Sequence, residues 1–337
     1  MKAWFSSMVC AAAIGLSVGA PARAADDPAP AIALRVMPIN DHLTAFYQGR
    51  PDEASVKPGP KHWPDLGAIF VGVATYAIHQ GDTAVVYDTF TDTASAQWVR
   101  DYLAKVGVRR FILVNSHWHL DHIGGNAVYA DSMRIATEAT RQKLTDKRAA
   151  IEDGTEEGPP AIKPLLVPNI GIAPGNTVTL MVGTVRVLLH PEAIHSADGL
   201  VIELPDDKIL LAGDTLEDTA TFVAEPQTIP QQYSNLGAMR QWGFTRILPN
   251  HGNPQVIAKG GYGLGLIDMT RAYIRRLVEH SHDADFQTQT LESYVGDAVK
   301  RGDVSVWWAY HEAHANNLAV VAKAWKDQPI PAFDTLP

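Results

Sequence analysis

The stretch Arg110–Asn126, RFILVNSHWHLDHIGGN, decides both the fold and the chemistry expected of this chain. Its first part, Phe111 to Val114, is an apolar and β-branched run that predicts a buried strand. Four side chains that can bind metal follow where the strand gives way to a loop: His117, His119, Asp121 and His122. Four imidazole and carboxylate groups so close together cannot all face one cation from regular structure. We therefore expect two metal ions.

Composition and charge limit the class of protein. The chain has 337 residues, of which 46% are hydrophobic and 19% are charged, and this balance is typical of a globular protein with a large core. The formal net charge is −9 and no stripe of Lys and Arg occurs, which argues against a nucleic-acid partner. We expect a small-molecule substrate, and the sequence leaves the oligomeric state open.

Residues 1–24 are predicted to be a cleavable signal peptide. Lys2 gives a positive start, Met8 to Ala20 form a small-sided apolar run, and Ala22-Arg23-Ala24 is an A-x-A cleavage site. The run is too short for a spanning helix, although a membrane anchor is the alternative. The pattern predicts a periplasmic or secreted chain with no membrane span. Residues 25–32, rich in Pro, Ala and Asp, are expected to form a mobile leader.

Cleavage after Ala24 would remove Cys10, the only cysteine. The mature chain would then have no disulfide bond. A zinc site in it could use no thiolate and would depend on His and carboxylate ligands.

Residues 110–126 are called the metal stretch below. Apolar runs on both sides of the metal stretch predict strands in two groups. Residues 68–90 read as two strands, FVGVATYAIH and TAVVYDTF, around Gln80-Gly81-Asp82, and residues 92–106 have helical periodicity. Successive strands fill residues 176–213, and residues 246–249 add a last one. Each half therefore shows strands followed by helices. This order predicts an α/β fold, an αββα sandwich of four layers in which two mixed β-sheets pack face to face with helices outside.

We expect a catalytic domain over residues 33–258. Residues 259–337 contain three stretches of helical periodicity and are expected to pack on the same domain as a C-terminal helical segment. Residues 48–65 form an irregular loop that either overhangs a pocket or simply connects two strands.

Further polar residues stand at strand ends in the second half. His195 follows the strand VRVLLH, Asp214 closes KILLAG, and His251 follows RILPN. With the first cluster they make five histidines and two aspartates, enough for two zinc ions that share a bridging ligand. His190 is the alternative to His195, but it belongs to the preceding strand. Asp88 ends an earlier strand and either orients a ligand histidine or caps the next turn.

The ordered motifs H-W-H-L-D-H-I-G-G, His195 before Ser196-Ala197-Asp198, Gly213-Asp214 and Asn250-His251-Gly252 resemble those of the metallo-β-lactamase-fold hydrolase superfamily. With Asp88, the resemblance spans residues 88–251. It implies two Zn²⁺ ions per chain. The first would be held by His117, His119 and His195, and the second by Asp121, His122 and His251. Asp214 would bridge them.

The resemblance implies an exported zinc hydrolase that cleaves an ester, lactone, thioester or amide bond of a small molecule with a hydroxide shared by both metals. Asp121 would also act catalytically by orienting that hydroxide. G-x-S-x-G is absent, which excludes the common serine hydrolases. Ser196-Ala197-Asp198 after the third histidine resembles the β-lactamase branch, whereas Gly-Asp-Thr at Asp214 resembles lactonases and thioesterases.

Three alternatives stay open. The first is a histidine-rich β-lactamase, and the second is a periplasmic maturation or binding protein with little hydrolysis. The third is a relative that uses iron at the His and Asp ligands. Substrate-pocket candidates are Trp63, Trp118, Phe222 and Tyr310. His311 and His314 are expected on a solvated helix face.

Overall fold

The computed structural model describes residues 33–336. The predicted signal peptide and leader, residues 1–32, lie outside the described residues. Within the described range the strands form one seven-stranded and one five-stranded sheet.

The first sheet follows the chain order and is mixed. Its strands are β1 (Arg35–Pro38), β2 (Leu43–Gln48), β3 (Val73–Gln80), β4 (Thr83–Tyr87), β5 (Arg110–Val114), β6 (Met133–Thr137) and β7 (Ile170–Ile172). Neighbours from β1 to β4 pair antiparallel, and those from β4 to β7 pair parallel. Strands β4, β5 and β6 therefore end at the same edge.

The second sheet has the order β12-β11-β10-β9-β8. Its strands are β8 (Val178–Val182), β9 (Val185–Pro191), β10 (Leu200–Leu204), β11 (Ile209–Gly213) and β12 (Arg246–Pro249). Strands β8 to β11 pair antiparallel, whereas β11 and β12 pair parallel. Both sheets are mixed, and this part of the prediction is confirmed.

Nine α-helices within residues 33–336 cover the sheets and connect the strands. They are α1 (Thr93–Lys105), α2 (Leu120–Ile123), α3 (Glu138–Asp146), α4 (Arg148–Asp153), α5 (Ile229–Met239), α6 (Pro254–Ala258), α7 (Gly265–Glu279), α8 (Leu291–Arg301) and α9 (Tyr310–Trp325). In this described part of the chain, no helix is both long and apolar enough to cross a membrane.

The alternation of side chains along β2 shows how the layers are built. Ala45 and Tyr47 belong to the core between the two sheets, while Phe46 belongs to a second core between the first sheet and α1. Successive side chains of a strand point to opposite faces, so one strand serves both cores. The core between the sheets continues into buried residues of α5 and α7 to α9. The four-layer prediction is therefore confirmed.

Helix α1 follows its sequence signals. The carboxylate of Asp92 accepts the Ser95 amide at 2.7 Å and caps the first turn, and Gly107 follows the helix with a φ of 107°. Val106, the last residue of the periodic stretch, is 51% exposed because the helix ends at Lys105.

The loop between β2 and β3, residues 49–72, corrects one boundary. The apolar run from Phe70 predicted a strand, but the strand begins at Val73. Residues Pro64–Ile69 form a π-helical turn that closes when the Phe70 amide donates to the carbonyl of Asp65. Phe70 and Val71 follow this turn as buried residues outside the strand.

Candidate metal centre

The metal-ligand candidates lie along one edge of the sandwich, where strands of both sheets end. The metal stretch follows β5, Asp88 follows β4, Asp214 follows β11 and His251 follows β12. His195 lies in the loop that connects β9 and β10. Side chains that are far apart in sequence converge there because parallel strands end at a common edge.

The first group consists of His117, His119, His195 and Asp214. One ligand-type atom from each lies within 4.8 Å of the others. His119 is half-buried, and the other three are buried. The structure thus brings together the three histidines that we assigned to the first metal. His190 lies outside this group and pairs with Glu203 at 3.2 Å.

The second group consists of Asp121, His122 and His251, all buried. Oδ2 of Asp214 lies 3.0 Å from Nε2 of His122 and 3.3 Å from Nε2 of His251. The same oxygen is 3.5 Å from Nε2 of His117. Asp214 therefore stands between the groups, at the position that we expected for a bridging ligand.

In His117, His195 and His251 the ring nitrogen that faces away from the cluster has a hydrogen-bond partner. Nδ1 of His251 donates to the Gly72 carbonyl at 2.7 Å, and Nδ1 of His195 donates to the Phe222 carbonyl at 3.1 Å. Nδ1 of His117 is 2.9 Å from the Ser116 hydroxyl. The carbonyl partners of His195 and His251 can only accept, so they fix the tautomer and leave Nε2 of these two rings for a metal.

Asp88 lies under the cluster with a positive φ of 67°. Its Oδ2 is 3.0 Å from Nδ1 of His122 and accepts the Asn250 side-chain amide at 2.6 Å. Its Oδ1 accepts the Ser116 amide at 2.7 Å. Asp88 thus contacts the ligand-bearing segments of both sheets, as the orienting role requires. The alternative of a simple turn cap does not account for the contact with His122.

The loop that carries His195 is held by a buried carboxylate. His195 has a φ of 64°, an uncommon conformation for a residue with a side chain. Asp198 is fully buried and accepts from the hydroxyl of Ser196 at 2.6 Å and from Nζ of Lys143 at 2.9 Å. Helix α3 therefore fixes this loop from outside.

The two glycines of the metal stretch allow close packing. A Cβ on Gly125 would lie 2.2 Å from Cβ of Ala96 and 2.6 Å from the carbonyl oxygen of Thr89. One on Gly124 would lie 2.2 Å from the backbone of Thr91. Only glycine lets α2 approach the loop after β4 so closely.

Burial and neighbouring charge shift the pKa values in the cluster in opposite directions. Burial, followed by the nearby histidines His119 and His122, lowers the pKa of His117 well below its usual value. Burial alone would also lower the pKa of His122, but the carboxylates of Asp121, Asp214 and Asp88 outweigh it and raise that pKa. The pKa of Asp214 is lowered because His122 and His251 outweigh its burial. The lowered pKa values of His117 and Asp214 favour the neutral imidazole and the ionised carboxylate, which are the forms that bind metal, whereas a metal at His122 would have to displace a proton.

Two buried atoms of the cluster fit a bound cation. Nε2 of His117 and Oδ1 of Asp214 have no hydrogen-bond partner among the described residues. Buried polar atoms are normally paired, so these two require an explanation. Imidazole nitrogens and carboxylate oxygens are ligands that zinc accepts, and a metal held by the two groups would satisfy both atoms. The donor set therefore fits the metal that the sequence predicts.

The predicted pocket residues have different positions. Phe222 is 41% exposed and its ring lies 6.5 Å from that of His195. The half-buried ring of Trp118 lies 5.0 Å from His119 and 4.5 Å from Nζ of Lys147. Both border the cluster. Trp63 is buried against the α2 region instead, where its indole donates to the Pro160 carbonyl.

The helix α9 candidates do not border the cluster directly. Tyr310 is buried, and its hydroxyl donates to Glu217 at 3.1 Å. His311 is exposed and pairs with Glu292, as expected of a solvated face. The same expectation for His314 was wrong, because this side chain is buried beside the hydroxyl of Tyr273.

The sequence analysis missed Glu217. Its buried carboxylate lies 3.7 Å from Nδ1 of His195 and accepts the Phe222 amide at 2.8 Å. Burial, and then the charge of Asp214, raises its pKa to about 8. Its spacing of three residues after Asp214 was the only signal in the sequence.

Two mixed sheets packed face to face, with a His and Asp cluster where their strands end, define a metal-binding α/β sandwich. The chain belongs to the metallo-beta-lactamase superfamily, whose family model matches residues 68–242. The resemblance found in the motifs is thereby confirmed. Membership indicates a hydrolase.

Three proteins that resemble this chain share a low sequence identity with it. The Beta-lactamase-like protein 2 homolog of Caenorhabditis elegans is 23% identical over 75% of this chain and 78% of its own. The crystal structure of DIM-1 metallo-beta-lactamase exposed to ceftazidime is 19% identical over 74% of this chain and 99% of its own, with a TM-score of 0.52. A metallo-beta-lactamase from Pontibacter korlensis is 16% identical over 70% and 99%, with a TM-score of 0.50. The structural likenesses show the fold.

Proposed function

We propose that this protein is a dinuclear zinc hydrolase that cleaves an ester, lactone, thioester or amide bond of a small molecule. The observation that carries the proposal is the position of Asp214 Oδ2 between two groups of ligand-type side chains, 3.0 Å from His122 and 3.5 Å from His117. His117, His119 and His195 would hold one ion, Asp121, His122 and His251 the other, and Asp214 both. Metal ions bound there would supply a Lewis acid for a carbonyl oxygen and lower the pKa of a water molecule to about 7.

The residues of the chain then have separate tasks. The side chain of Asp121 is 10% exposed, against 4% for that of Asp214, so Asp121 is the more accessible carboxylate. It can accept a hydrogen bond from the attacking water and orient it. Trp118 and Phe222 border the cluster and can exclude bulk water around the substrate. The buried Asp88 holds His122 in place from behind.

The test measures metal content and turnover together. Protein purified without added metal is analysed for zinc and iron, and then assayed with an ester, a lactone, a thioester, an amide and a chromogenic cephalosporin. We expect two zinc ions per chain, hydrolysis of at least one substrate, loss of activity with EDTA and recovery with zinc. Full activity in metal-free protein would contradict the mechanism. Cephalosporin turnover alone would favour the β-lactamase alternative, and iron would favour the iron-dependent one.

The binding or maturation alternative has a different signature. It requires a stable protein partner together with absent turnover on the whole substrate panel, and a pulldown tests it.

We also propose export, based on the signal-peptide pattern of residues 1–24. Mass spectrometry of the mature protein recovered from the periplasm or medium should give a chain that begins at Ala25. A retained Met1 in the recovered protein would contradict this.

A further inference from the structure

The loop of residues 49–72 borders the metal centre at two glycines: the carbonyl of Gly72 accepts from His251, and Gly67 faces Asp121. Gly67 is exposed, and a Cβ built on it would have a single contact within 4 Å, to Oδ2 of Asp121 at 4.0 Å. Its φ lies outside the left-handed region, so a larger residue fits the backbone there without strain. The adjacent Leu66 is 39% exposed. A side chain at position 67 would therefore reduce the room beside Asp121.

The loop is closed at its base by Arg50. The Arg50 amide donates to the Ile69 carbonyl at 2.8 Å, and its Nε donates to the Val71 carbonyl at 2.9 Å. The guanidinium is buried and also donates to the carbonyl of Asp218, in the loop that follows Asp214. The base of the loop is thus tied to the metal-bearing segment of the second sheet.

Two tryptophans from far along the chain hold the same loop. They belong to residues 304–308, between α8 and α9, which we call the tryptophan stretch. The Trp307 indole donates to the Phe70 carbonyl at 2.6 Å, and the Trp308 indole donates to the Pro51 carbonyl at 3.0 Å. The Phe70 ring packs 5.4 Å from that of Trp308. Both ends of the loop are therefore fixed by the C-terminal segment.

The tryptophan stretch also contacts the loop after Asp214. The Ser305 amide donates to Oδ1 of Asp218 at 2.9 Å, and the Trp307 amide donates to the Thr219 hydroxyl at 2.8 Å. Asp218 is fully buried. One short segment therefore fixes the spacing between the loop bearing Gly67 and the loop bearing Asp214.

We propose that Gly67 is a specificity-determining position and that Trp307 and Trp308 are its positioning residues. By holding the loop, they keep an open space beside Asp121 that admits carbonyl substrates with a bulky substituent on that side. The proposal rests on the proposed function, because it assigns the substrate class of that site. A longer side chain at position 67 would close the space, and loss of an indole donor would change its width.

The first test uses ligands that need no turnover. Acetohydroxamic and octanohydroxamic acids bind zinc through the same head group and differ in chain length, and calorimetry on the zinc-loaded protein gives both affinities. We expect Gly67→Val to weaken binding of the longer acid at least ~tenfold more than that of the shorter one. Zinc content should be unchanged, and Gly67→Ala should have a smaller effect. An affinity ratio within twofold of the wild type in Gly67→Val would overturn the proposal.

The second test removes single indole donors. Trp307→Phe and Trp308→Phe keep an aromatic ring. Trp325→Phe is the matched control, because Trp325 lies in α9 and its indole donates to the Pro226 carbonyl at 2.9 Å, away from the loop of residues 49–72. We expect faster amide exchange at Arg50 and Phe70, and a changed hydroxamate ratio, in the first two variants only. If Trp307→Phe and Trp308→Phe both show the amide exchange rates and the hydroxamate affinity ratio of the wild type, the positioning role is overturned. If the wild-type protein hydrolyses no substrate but its hydroxamate affinities respond to Gly67→Val as expected, the proposed function is contradicted and the role of Gly67 is not.

Discussion

At the scale of the residue, the centre depends on where each ligand atom points. The outer nitrogens of His117, His195 and His251 are occupied by Ser116, Phe222 and Gly72, so their Nε2 atoms face the cluster. The motif predicts which residues gather, whereas these partners decide which nitrogen of each ring is available.

Removal of Asp121 tests the most accessible carboxylate. Asp121→Ala should lower turnover by at least ~10²-fold, because it removes a metal ligand and the group that orients the nucleophile. The measurement is kcat on the best substrate of the panel, with zinc content determined in parallel. Turnover within twofold of the wild type would refute the assignment.

Two variants test whether His195 or His190 is the metal ligand in the region of β9. His195→Ala should reduce zinc content and abolish hydrolysis, since His195 lies in the first group. His190→Ala should leave both unchanged, because His190 pairs with Glu203 outside the cluster. Equal loss in the two variants would contradict this choice.

Asp88 offers a test of indirect positioning. Asp88→Asn keeps the size of the side chain but removes the charge that faces Nδ1 of His122. Zinc affinity should fall about 10- to 100-fold, as is typical for groups behind a ligand histidine. Competition with a chromogenic chelator measures it, and an unchanged affinity would assign Asp88 a purely local role.

At the scale of the element, the metal stretch requires a helix packed against a strand end without side chains between them. Gly125→Ala should destabilise the fold by about 1–3 kcal/mol, since a Cβ there meets Ala96 and Thr89. The control is Gly296→Ala in α8, where nothing lies within 4 Å and alanine should add about 0.8–1.0 kcal/mol of stability. Denaturant unfolding measures both variants, and equal effects would refute the packing argument.

At the scale of the whole molecule, buried tyrosines of the first sheet bind the strand ends of the second. The hydroxyl of Tyr76 donates to the Pro249 carbonyl at 2.6 Å, and that of Tyr87 donates to the Leu200 carbonyl at 2.5 Å. The Tyr47 hydroxyl donates to the Gly252 carbonyl at 2.7 Å. These contacts fix the two halves of the metal centre against each other, because Pro249 and Gly252 flank the segment that carries His251.

Much of this molecule follows from the sequence alone. The seven ligand candidates could be predicted because metal-binding side chains directly follow apolar strands, a pattern that is local in the chain. Most strand and helix positions were predictable for the same reason. The exceptions are the short elements β7 and α6, which no pattern predicted, and the residues before β3, where a π-helical turn uses apolar residues that also suit a strand.

Only the tertiary structure decided which side chains contact one another across the two sheets. Glu217 under His195, Asn250 on Asp88 and Trp307 on the loop of Gly67 are contacts between distant segments. No periodicity or spacing encodes them, because they depend on how two twisted sheets and a C-terminal segment pack. The sequence therefore determined the chemistry of the centre, and the packing determined its supports and its borders.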